Sequence, residues 1–258
     1  MDDPTHLIRQ QFGTNADKYA TSAVHAHGES LARLVELIQP QPDWLMLDVS
    51  TGAGHTALAF APHVARVVAV DLTPEMLNTA RKLAEQRGIS NIEFKPADAH
   101  ALPFEDNTFD LVTNRIALHH YSDARRAISE MVRVCQPGAL IGFTDNIVPP
   151  DKVTAGHINH WEQLRDPSHH WEYPIARLES MFTEAGVTVQ HTESLEKEME
   201  FEPWADRMGA SAELKAKLRQ WLADAPDSVR AWLKPRYEGE RLFFTLHEVV
   251  LIAIRPLF

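Results

Sequence analysis

Two apolar runs joined by a glycine-containing turn constrain the fold of this chain more than any other feature. Residues 44–49 form a short apolar run that enters Ser-Thr-Gly-Ala-Gly, and residues 66–71 form a second run rich in β-branched residues. Such short runs predict buried strands. After the second run, Thr73 is a suitable N-cap and Pro74 suits the first helical position. The segment therefore predicts the beginning of a parallel α/β sheet.

The rest of the chain extends this pattern. Strands that alternate with helices predict a doubly wound parallel sheet, and the last two predicted strands form a hairpin that adds one antiparallel strand. The further predicted strands are 91–95, 109–113, 140–144, 187–191 and 242–254, and the main predicted helices are 74–87, 122–134 and 174–185.

Composition excludes several classes of function. The 258 residues include 25 Lys and Arg against 36 Asp and Glu, a net charge of −11, so a basic face for nucleic acid or anionic lipid is not expected. The single cysteine, Cys135, allows no intramolecular disulfide, which suits a reducing cytoplasm. Apolar runs such as 249–254 are too short to span a membrane, and the first residues do not resemble a signal peptide.

Two glycines and two aspartates follow the predicted strands, at the edge where a parallel sheet binds ligands. Gly52 and Gly54 lack a Cβ and allow a ligand to approach the first turn closely. Asp71 ends the second strand, where a carboxylate can accept hydrogen bonds from both ribose hydroxyls. Asp98 follows the third strand, where it can receive an adenine amino group. The pattern predicts an adenosine-containing cofactor, although a plain tight turn and a helix-capping aspartate are the structural alternatives.

The turn also discriminates between cofactors. It has no P-loop lysine and lacks the full G-x-G-x-x-G that usually holds a pyrophosphate. Because S-adenosylmethionine contains no phosphate, the turn favours it over NAD.

Several longer segments resemble one family. The chain resembles the class I S-adenosylmethionine-dependent methyltransferases of the UbiE/YcgJ-like (type 11) group over roughly residues 11–190. The segments are FGTNADKYATSAVHAHG, LMLDVSTGAGHTALAFAP, VVAVDLTPEML, NIEFKPADAHALPFEDNTFDLV, NRIALHHYSD, RVCQPGALIGFTDN and LRDPSHHW. The fold is then a Rossmann-like seven-stranded sheet of order 3-2-1-4-5-7-6, mostly parallel with the last strand antiparallel, with helices on both faces and a helical lid insertion.

The resemblance implies a set of cofactor-binding positions. Tyr19 would close over the cofactor, and Ser50 departs from the glycine of the general class I pattern. A second departure, Cys135-Gln136, would lie far from the cofactor. The implied binding residues are Tyr19, Asp48, Ser50, Thr51, Gly52, Gly54, Asp71, Leu72, Met76, Asp98, Ala99, Asn114 and Arg115.

Histidines supply the candidate catalytic groups. His119 and His120 follow the fourth predicted strand, and histidine titrates near neutrality as a general base should. The alternative is that one packs structurally and the other is exposed. No metal is predicted, because the spacing of the four histidines in segment 157–171 matches no recognised metal motif. That segment is predicted to belong to a lid loop, with Trp161 and Trp171 as walls of a substrate pocket, and the alternative is that they only anchor the loop.

The predicted organisation has four parts. Residues 1–42 form a helical cap, 43–149 the cofactor-binding core, 150–172 a lid loop, and 173–258 the end of the sheet with a helical insertion at about 195–240. In that insertion, Trp204, Met208, Trp221 and Trp232 form a stripe that suits core packing, a homodimer contact or a pocket for an aromatic or lipophilic substrate.

Three functions remain open from the sequence. The first is methyl transfer from S-adenosylmethionine to an O, N or C atom of a small molecule, with S-adenosylhomocysteine as the second product. The second is a cyclase or pericyclase that binds the same cofactor without methyl transfer, because a fold does not dictate a reaction. The third is a non-catalytic binding protein.

Overall fold

The computed structural model describes residues 4–20 and 28–257, with the side chains of 5–16 in the first segment. The described strands are β1 (Leu45–Val49), β2 (Arg66–Asp71), β3 (Ile92–Pro96), β4 (Phe109–Arg115), β5 (Cys135–Asn146), β6 (Thr188–Glu200), β7 (Arg236–Glu238) and β8 (Arg241–Ile254). The described helices are α1 (Pro4–Ala20), α2 (Glu29–Ile38), α3 (His55–Phe60), α4 (Pro74–Gln86), α5 (Ala124–Val134), α6 (Lys152–Arg165), α7 (Ile175–Glu184), α8 (Phe201–Arg207), α9 (Ala212–Asp224) and α10 (Asp227–Leu233), with short 3-10 helices at Ala61–His63 and Leu118–His120.

One sheet organises the fold, in the order β3-β2-β1-β4-β5-β8-β6. Its first five strands are parallel, and β8 lies antiparallel between β5 and β6. Since β8 is the predicted seventh strand, the order 3-2-1-4-5-7-6 and the Rossmann-like fold class are confirmed. The structure adds β7, a strand of three residues that pairs with the beginning of β8.

Both faces of the central strands are buried, which explains their continuous apolar sequence. Met46 of β1 packs toward α2 and α3, in the cluster that contains Leu34 and Phe60. The next residue, Leu47, packs on the opposite face in the cluster that contains Ile128 of α5 and Phe182 of α7. Alternate residues of one strand therefore enter two different cores.

Strand register brings several loops to one edge of the sheet. Val49 lies opposite Val70 of β2 on one side and Asn114 of β4 on the other. The carboxyl ends of these three strands are therefore level, and the turns that follow them meet. This is the edge at which open parallel sheets bind ligands.

The secondary structure of two predicted segments differs from the expectation. The expected lid loop 150–172 contains helix α6, capped by Asp151, whose carboxylate accepts the Thr154 N–H at 2.8 Å. The helical insertion expected at about 195–240 begins as strand, because β6 pairs with β8 as far as Glu200 opposite Phe243. Lys and Glu at the end of β6 favour helix by propensity, but strand pairing overrides that preference.

Helices α6 and α8–α10 form a separate core with the end of β6 and the beginning of β8. Trp161 is fully buried and stacks on Trp204, with ring centroids 4.5 Å apart. Met208 is buried, and Trp221 and Trp232 are partly buried. The predicted aromatic stripe is thus mainly core packing within one chain. No described helix is long and apolar enough to cross a membrane.

Candidate functional site

An open cavity of about 900 Å³ lies beyond the carboxyl ends of β1, β2 and β4. The turn after β1 forms its floor, and α1 covers one side. The predicted site residues in its lining are Ser50, Thr51, Gly52, Asp71, Leu72, Met76, Asp98, Ala99, Arg115 and His120.

The two glycines of the turn have different tasks. Gly52 lines the cavity at φ +53°, and a Cβ built there would meet no atom within 4 Å. Gly54 does not contact the cavity. At φ +85°, a Cβ on Gly54 would lie 2.9 Å from the Cβ of Ala80, so this glycine lets α4 pack against the turn. The left-handed backbone at both positions favours glycine.

Asp71 is held ready to accept further hydrogen bonds. Its Oδ2 accepts the Gly52 N–H at 2.8 Å, and its Oδ1 accepts the Thr73 N–H, also at 2.8 Å. Burial raises the pKa of Asp71, while these two bonds oppose the rise. Each carboxylate oxygen has a second lone pair. The side chain can therefore receive a diol from the cavity.

Asp48 and Asn114 lie beneath the cavity and brace it. The Asp48 carboxylate accepts bonds from the hydroxyls of Thr51 at 2.6 Å and Thr113 at 2.8 Å. Asn114 Nδ2 donates to the Val49 carbonyl at 3.0 Å. Burial raises the pKa of Asp48 to about 6 against the hydrogen bonds from the two threonines. Both side chains therefore support the turn from below instead of forming its surface.

Tyr121 connects this support to the cavity lining. Its hydroxyl lies 2.6 Å from Ser50 Oγ and accepts a bond from Asn114 Nδ2 at 2.9 Å. Ser50 has φ +56°, the conformation in which glycine is favoured, which gives a physical reason for the glycine of the general pattern. The serine hydroxyl gains the tyrosine as a partner. Sequence reasoning missed Tyr121, although it directly follows His119-His120.

The other end of the cavity suits an aromatic ring with a polar edge. Leu72, Met76 and Ala99 supply apolar surface there. Asp98 Oδ1 accepts the His100 N–H at 2.9 Å and lies 2.7 Å from His100 Nδ1. The Asp98 side chain stays 39% exposed and can bind a further donor.

A cation and the N-terminal helix complete the cavity. Arg115 Nε donates to Thr56 Oγ1 at 3.0 Å. Burial lowers the pKa of Arg115, while the charges of Glu248 and Asp48 oppose that. Helix α1 contributes Thr5, Ile8 and Phe12, which sequence reasoning missed. The side chain of Tyr19, the residue expected to close over the cofactor, lies outside the described residues.

A second cavity of about 470 Å³ adjoins the first. Phe12, Ile116 and His120 line both cavities and form the junction between them. Ile116 has φ +54°, which no sequence signal indicated. The remaining residues of the second cavity are His119, Asn146, Arg165, Asp166, Lys197, Met199, Trp204, Arg207 and Leu246.

Comparison with known proteins shows which family this chain belongs to. A family model described as a methyltransferase domain matches residues 47–143. The uncharacterized methyltransferase YcgJ of Bacillus subtilis is 32% identical over 246 residues, which cover 95% of this chain and 97% of YcgJ. The chain belongs to the class I methyltransferases.

Solved structures agree with this methyltransferase assignment. The crystal structure of YcgJ has a TM-score of 0.85 at 31% identity and covers 89% of this chain and 99% of YcgJ. A Bacillus halodurans structure has a TM-score of 0.84 at 34% identity and covers 88% of this chain and 98% of its own. The cyclase SpnF, at a TM-score of 0.61 and 20% identity, covers 88% of this chain and 80% of its own and shares the fold alone.

The two candidate catalytic histidines of the methyltransferase occupy different electrostatic positions. His119 Nδ1 lies 2.5 Å from Asp145 Oδ1, and the His119 N–H donates to Asp145 Oδ2 at 3.0 Å. Burial opposes the charged imidazolium, but the Asp145 carboxylate outweighs it and raises the pKa of His119 to about 9. With this pKa, His119 holds a proton at neutral pH, and its role as a catalytic residue stays a prediction.

His120 has the opposite character. Burial, together with the charge on His119, lowers the pKa of His120 to about 4. The His120 Nδ1 lies 3.1 Å from the Ser168 carbonyl oxygen, so the neutral ring donates there and leaves Nε2 as an acceptor. Of the two histidines, only this one lies at the junction of the cavities and is neutral at pH 7.

The histidines of segment 157–171 do not converge on a metal-binding geometry. Within residues 4–20 and 28–257, no group of three or more His, Cys, Asp or Glu side chains could hold a metal ion. His169 is buried, and its Nε2 lies 2.8 Å from Asn159 Oδ1. His157 stands near Trp221, with ring centroids 6.0 Å apart.

Proposed function

We propose that this methyltransferase uses S-adenosylmethionine to methylate an O, N or C atom of a small molecule. The observation that carries the proposal is the pair of adjoining cavities with the junction of Phe12, Ile116 and His120 between them. Methyl transfer requires the donor and acceptor to meet in one line with water excluded. Two cavities that share these three lining residues can hold the donor and the acceptor on either side of one junction.

The first cavity fits the cofactor. Asp71 would hold the ribose, Asp98 the adenine amino group, and Leu72 and Met76 the faces of the adenosine. The open space above Gly52 leaves room for the methionine end. When bound, the cofactor supplies a methyl group on a positively charged sulfur, and S-adenosylhomocysteine is the leaving group.

The second cavity would hold the methyl acceptor. Phe12 and Ile116 at the junction give apolar walls that exclude water from the reacting atoms. Where the acceptor atom must lose a proton, His120 Nε2 would receive it, because this imidazole is neutral and lines both cavities. His119 would supply positive charge from one side.

A cytoplasmic location fits the single cysteine of the sequence, Cys135, which is a buried free thiol.

Calorimetry and mass spectrometry test the proposal. S-adenosylmethionine and S-adenosylhomocysteine should each bind with one site per chain. Incubation with a metabolite extract and S-adenosylmethionine should release S-adenosylhomocysteine and add the mass of one CH₂ group to an acceptor. Absence of cofactor binding would leave only the non-catalytic alternative.

A non-methylating reaction is the second candidate, because the cyclase SpnF shares the fold. In that case, the cofactor would bind but S-adenosylhomocysteine would not accumulate. A substrate that rearranged without a gain in mass would favour this candidate over methyl transfer.

A further inference from the structure

We infer that the methyl acceptor of the second cavity is a small apolar acid whose negatively charged oxygens bind Lys197, Arg207 and Arg165. This inference deepens the proposed function and rests on it. It concerns the chemical class of the acceptor, which neither the fold nor the relatives specify.

Cationic side chains dominate the polar lining of the second cavity. Lys197 comes from β6, Arg165 from the last turn of α6, and Arg207 from the end of α8. Side chains of Lys197 and Arg165 are only 17% and 12% exposed. His119, protonated at neutral pH, adds a fourth positive group. Lys and Arg have only donors, so this wall offers N–H groups to a ligand.

The carboxylates that pair with Lys197, Arg165 and His119 lie on the side of each cation that faces away from the cavity. Glu248 pairs with Lys197, Glu162 pairs with Arg165 at 2.8 Å, and Asp145 pairs with His119. None of these three carboxylates lines the cavity. A ligand in the cavity would therefore meet the positive ends of the ion pairs first.

Among the described residues, Asp166 is the one carboxylate in the lining, and it already has partners. Its Oδ1 accepts the Ser168 N–H at 2.9 Å and the Ser168 hydroxyl at 2.6 Å. It offsets part of the positive charge, but its hydrogen bonds point into its own loop. Among the residues that the structure describes, the lining thus has three Lys and Arg side chains against one carboxylate.

Lys197 has N–H donors beyond the one that Glu248 accepts, and these remain available to a ligand in the cavity. Burial lowers the pKa of Lys197, the charge and hydrogen bond of Glu248 oppose this, and the charges of Arg115 and Arg207 lower it further. Buried charges are costly unless they are paired and hydrogen-bonded. A carboxylate or a similar oxyanion would accept several of these donors at once, since charge-assisted bonds to planar anions are strong.

The other lining residues indicate the rest of the acceptor. Met199, Trp204 and Leu246 give apolar surface, and the Arg165 guanidinium lies over the Trp204 ring at 4.5 Å. Asn146 Oδ1 is buried with no hydrogen-bond partner among the described residues. A hydroxyl or amino group on the acid would satisfy that oxygen. The geometry therefore suits an apolar body with an acidic group and one donor.

Matched acids and amides test this assignment. The protein saturated with S-adenosylhomocysteine is titrated with phenylacetate, 3-phenyllactate and hexanoate, and with the corresponding neutral amides, by ligand-observed NMR and calorimetry. We expect each acid that binds to do so at least about tenfold more tightly than its amide. Equal binding of acids and amides, or binding of no acid in the set, overturns the inference.

Variants test whether the preference for acids over amides comes from the second cavity. Arg207→Gln should reduce the acid preference several-fold. Lys197→Met combined with Glu248→Gln removes both charges of a buried pair and avoids leaving Glu248 alone, and it should abolish the preference. Lys82→Met, on the exposed side of α4, is the matched control and should leave it unchanged. An acid preference that survives both cavity variants contradicts the assignment.

The same samples separate this inference from the proposed function. S-adenosylhomocysteine binding is measured first for each variant by calorimetry. If the wild-type protein does not bind S-adenosylhomocysteine, the proposed function itself is wrong. Normal binding with no preference for acids would defeat only the identification of the acceptor.

Discussion

The two cavities are built in different ways. The first is assembled mainly from short loops at the ends of neighbouring strands, in residues 50–121, with α1 placed over them. The second collects side chains from α1, the loop after β4, β5, α6, β6, α8 and β8, which are distant along the chain. The residues of the first cavity can be predicted from local sequence motifs, whereas those of the second depend on how distant elements pack.

The difference also extends to electrostatics. In the first cavity, the buried carboxylate of Asp71 accepts backbone N–H groups and lines the cavity. In the second, Lys197 lines the cavity, whereas its carboxylate partner Glu248 does not. The first cavity thus presents acceptors and the second presents donors, so the two proposed sites would favour different ligands.

The largest expected effect concerns the core beside the second cavity. Trp161→Ala removes a fully buried ring that stacks on Trp204, and should lower the free energy of unfolding by about 3–5 kcal/mol. Chemical denaturation measures this change. Trp171→Ala is the matched control, because Trp171 is 37% exposed and should cost less than about 1 kcal/mol.

The same variant tests whether the two regions are independent. Folded Trp161→Ala should bind S-adenosylhomocysteine with nearly wild-type affinity, because the ring lies outside the first cavity. A large loss of affinity at a temperature where the variant is fully folded would show that the cavities are coupled.

Asp71→Ala should disable the first cavity. Loss of a buried acceptor for two ribose hydroxyls should weaken S-adenosylhomocysteine binding roughly 100-fold, or about 2.7 kcal/mol. Calorimetry measures the affinity, and circular dichroism checks that the fold is intact. Asp43→Ala, at an exposed aspartate before β1, should bind normally. Unchanged affinity in Asp71→Ala would mean that the cofactor lies elsewhere.

The proton on His119 should make the second region sensitive to alkaline pH. Because its pKa is raised from 6.5 to about 9, the folded protein holds this proton more tightly than the unfolded chain. The resulting stabilisation is complete below pH 6.5 and is lost as the pH rises through 9. It should be on the order of 1–3 kcal/mol.

The free energy of unfolding is measured by denaturation of the wild type and of His119→Gln from pH 6 to pH 10. The difference between the two proteins should decrease as the pH rises. His160→Gln, at an exposed histidine of α6, is the matched control. A constant difference for His119→Gln would mean that the Asp145 contact does not raise the pKa.

The smallest effect is expected at the turn of the first cavity. Ser50→Gly relieves a residue at φ +56° but loses the bond to Tyr121, so these effects of about 1 kcal/mol each should nearly cancel. Ser50→Ala keeps the backbone strain and loses the bond, and should be less stable than Ser50→Gly by roughly 1 kcal/mol. Thermal denaturation compares the two, and the reverse order would refute this account of the turn.

Sequence patterns predicted the sheet well because each central strand is buried on both faces and its apolar run has no competing interpretation. Helix α6 was missed because its buried face mixes Thr154, Asn159 and Glu162 with Trp161, which conceals the helical period. The end of β6 was placed in the predicted helical insertion. Its Lys and Glu residues favour helix locally, but pairing with β8 decides the structure.

The candidate site divides in the same way. Ser50, Gly52, Asp71 and Asp98 could be located from the sequence, because a strand followed by a turn fixes them at one edge of the sheet. Phe12 and Tyr121 could not, because their position depends on how α1 and the loop after β4 pack.

By itself, the sequence determined a parallel sheet and the edge at which such a sheet binds ligands, and it predicted an adenosine-containing ligand there, because these depend on local periodicity and on residues next to strand ends. Only the tertiary structure decided that Gly54 packs against α4, that His119 carries a proton while His120 does not, and that Lys197, Arg165 and Arg207 share one cavity. The physical reason is that burial, charge pairing and close approach depend on distances between segments that are far apart along the chain.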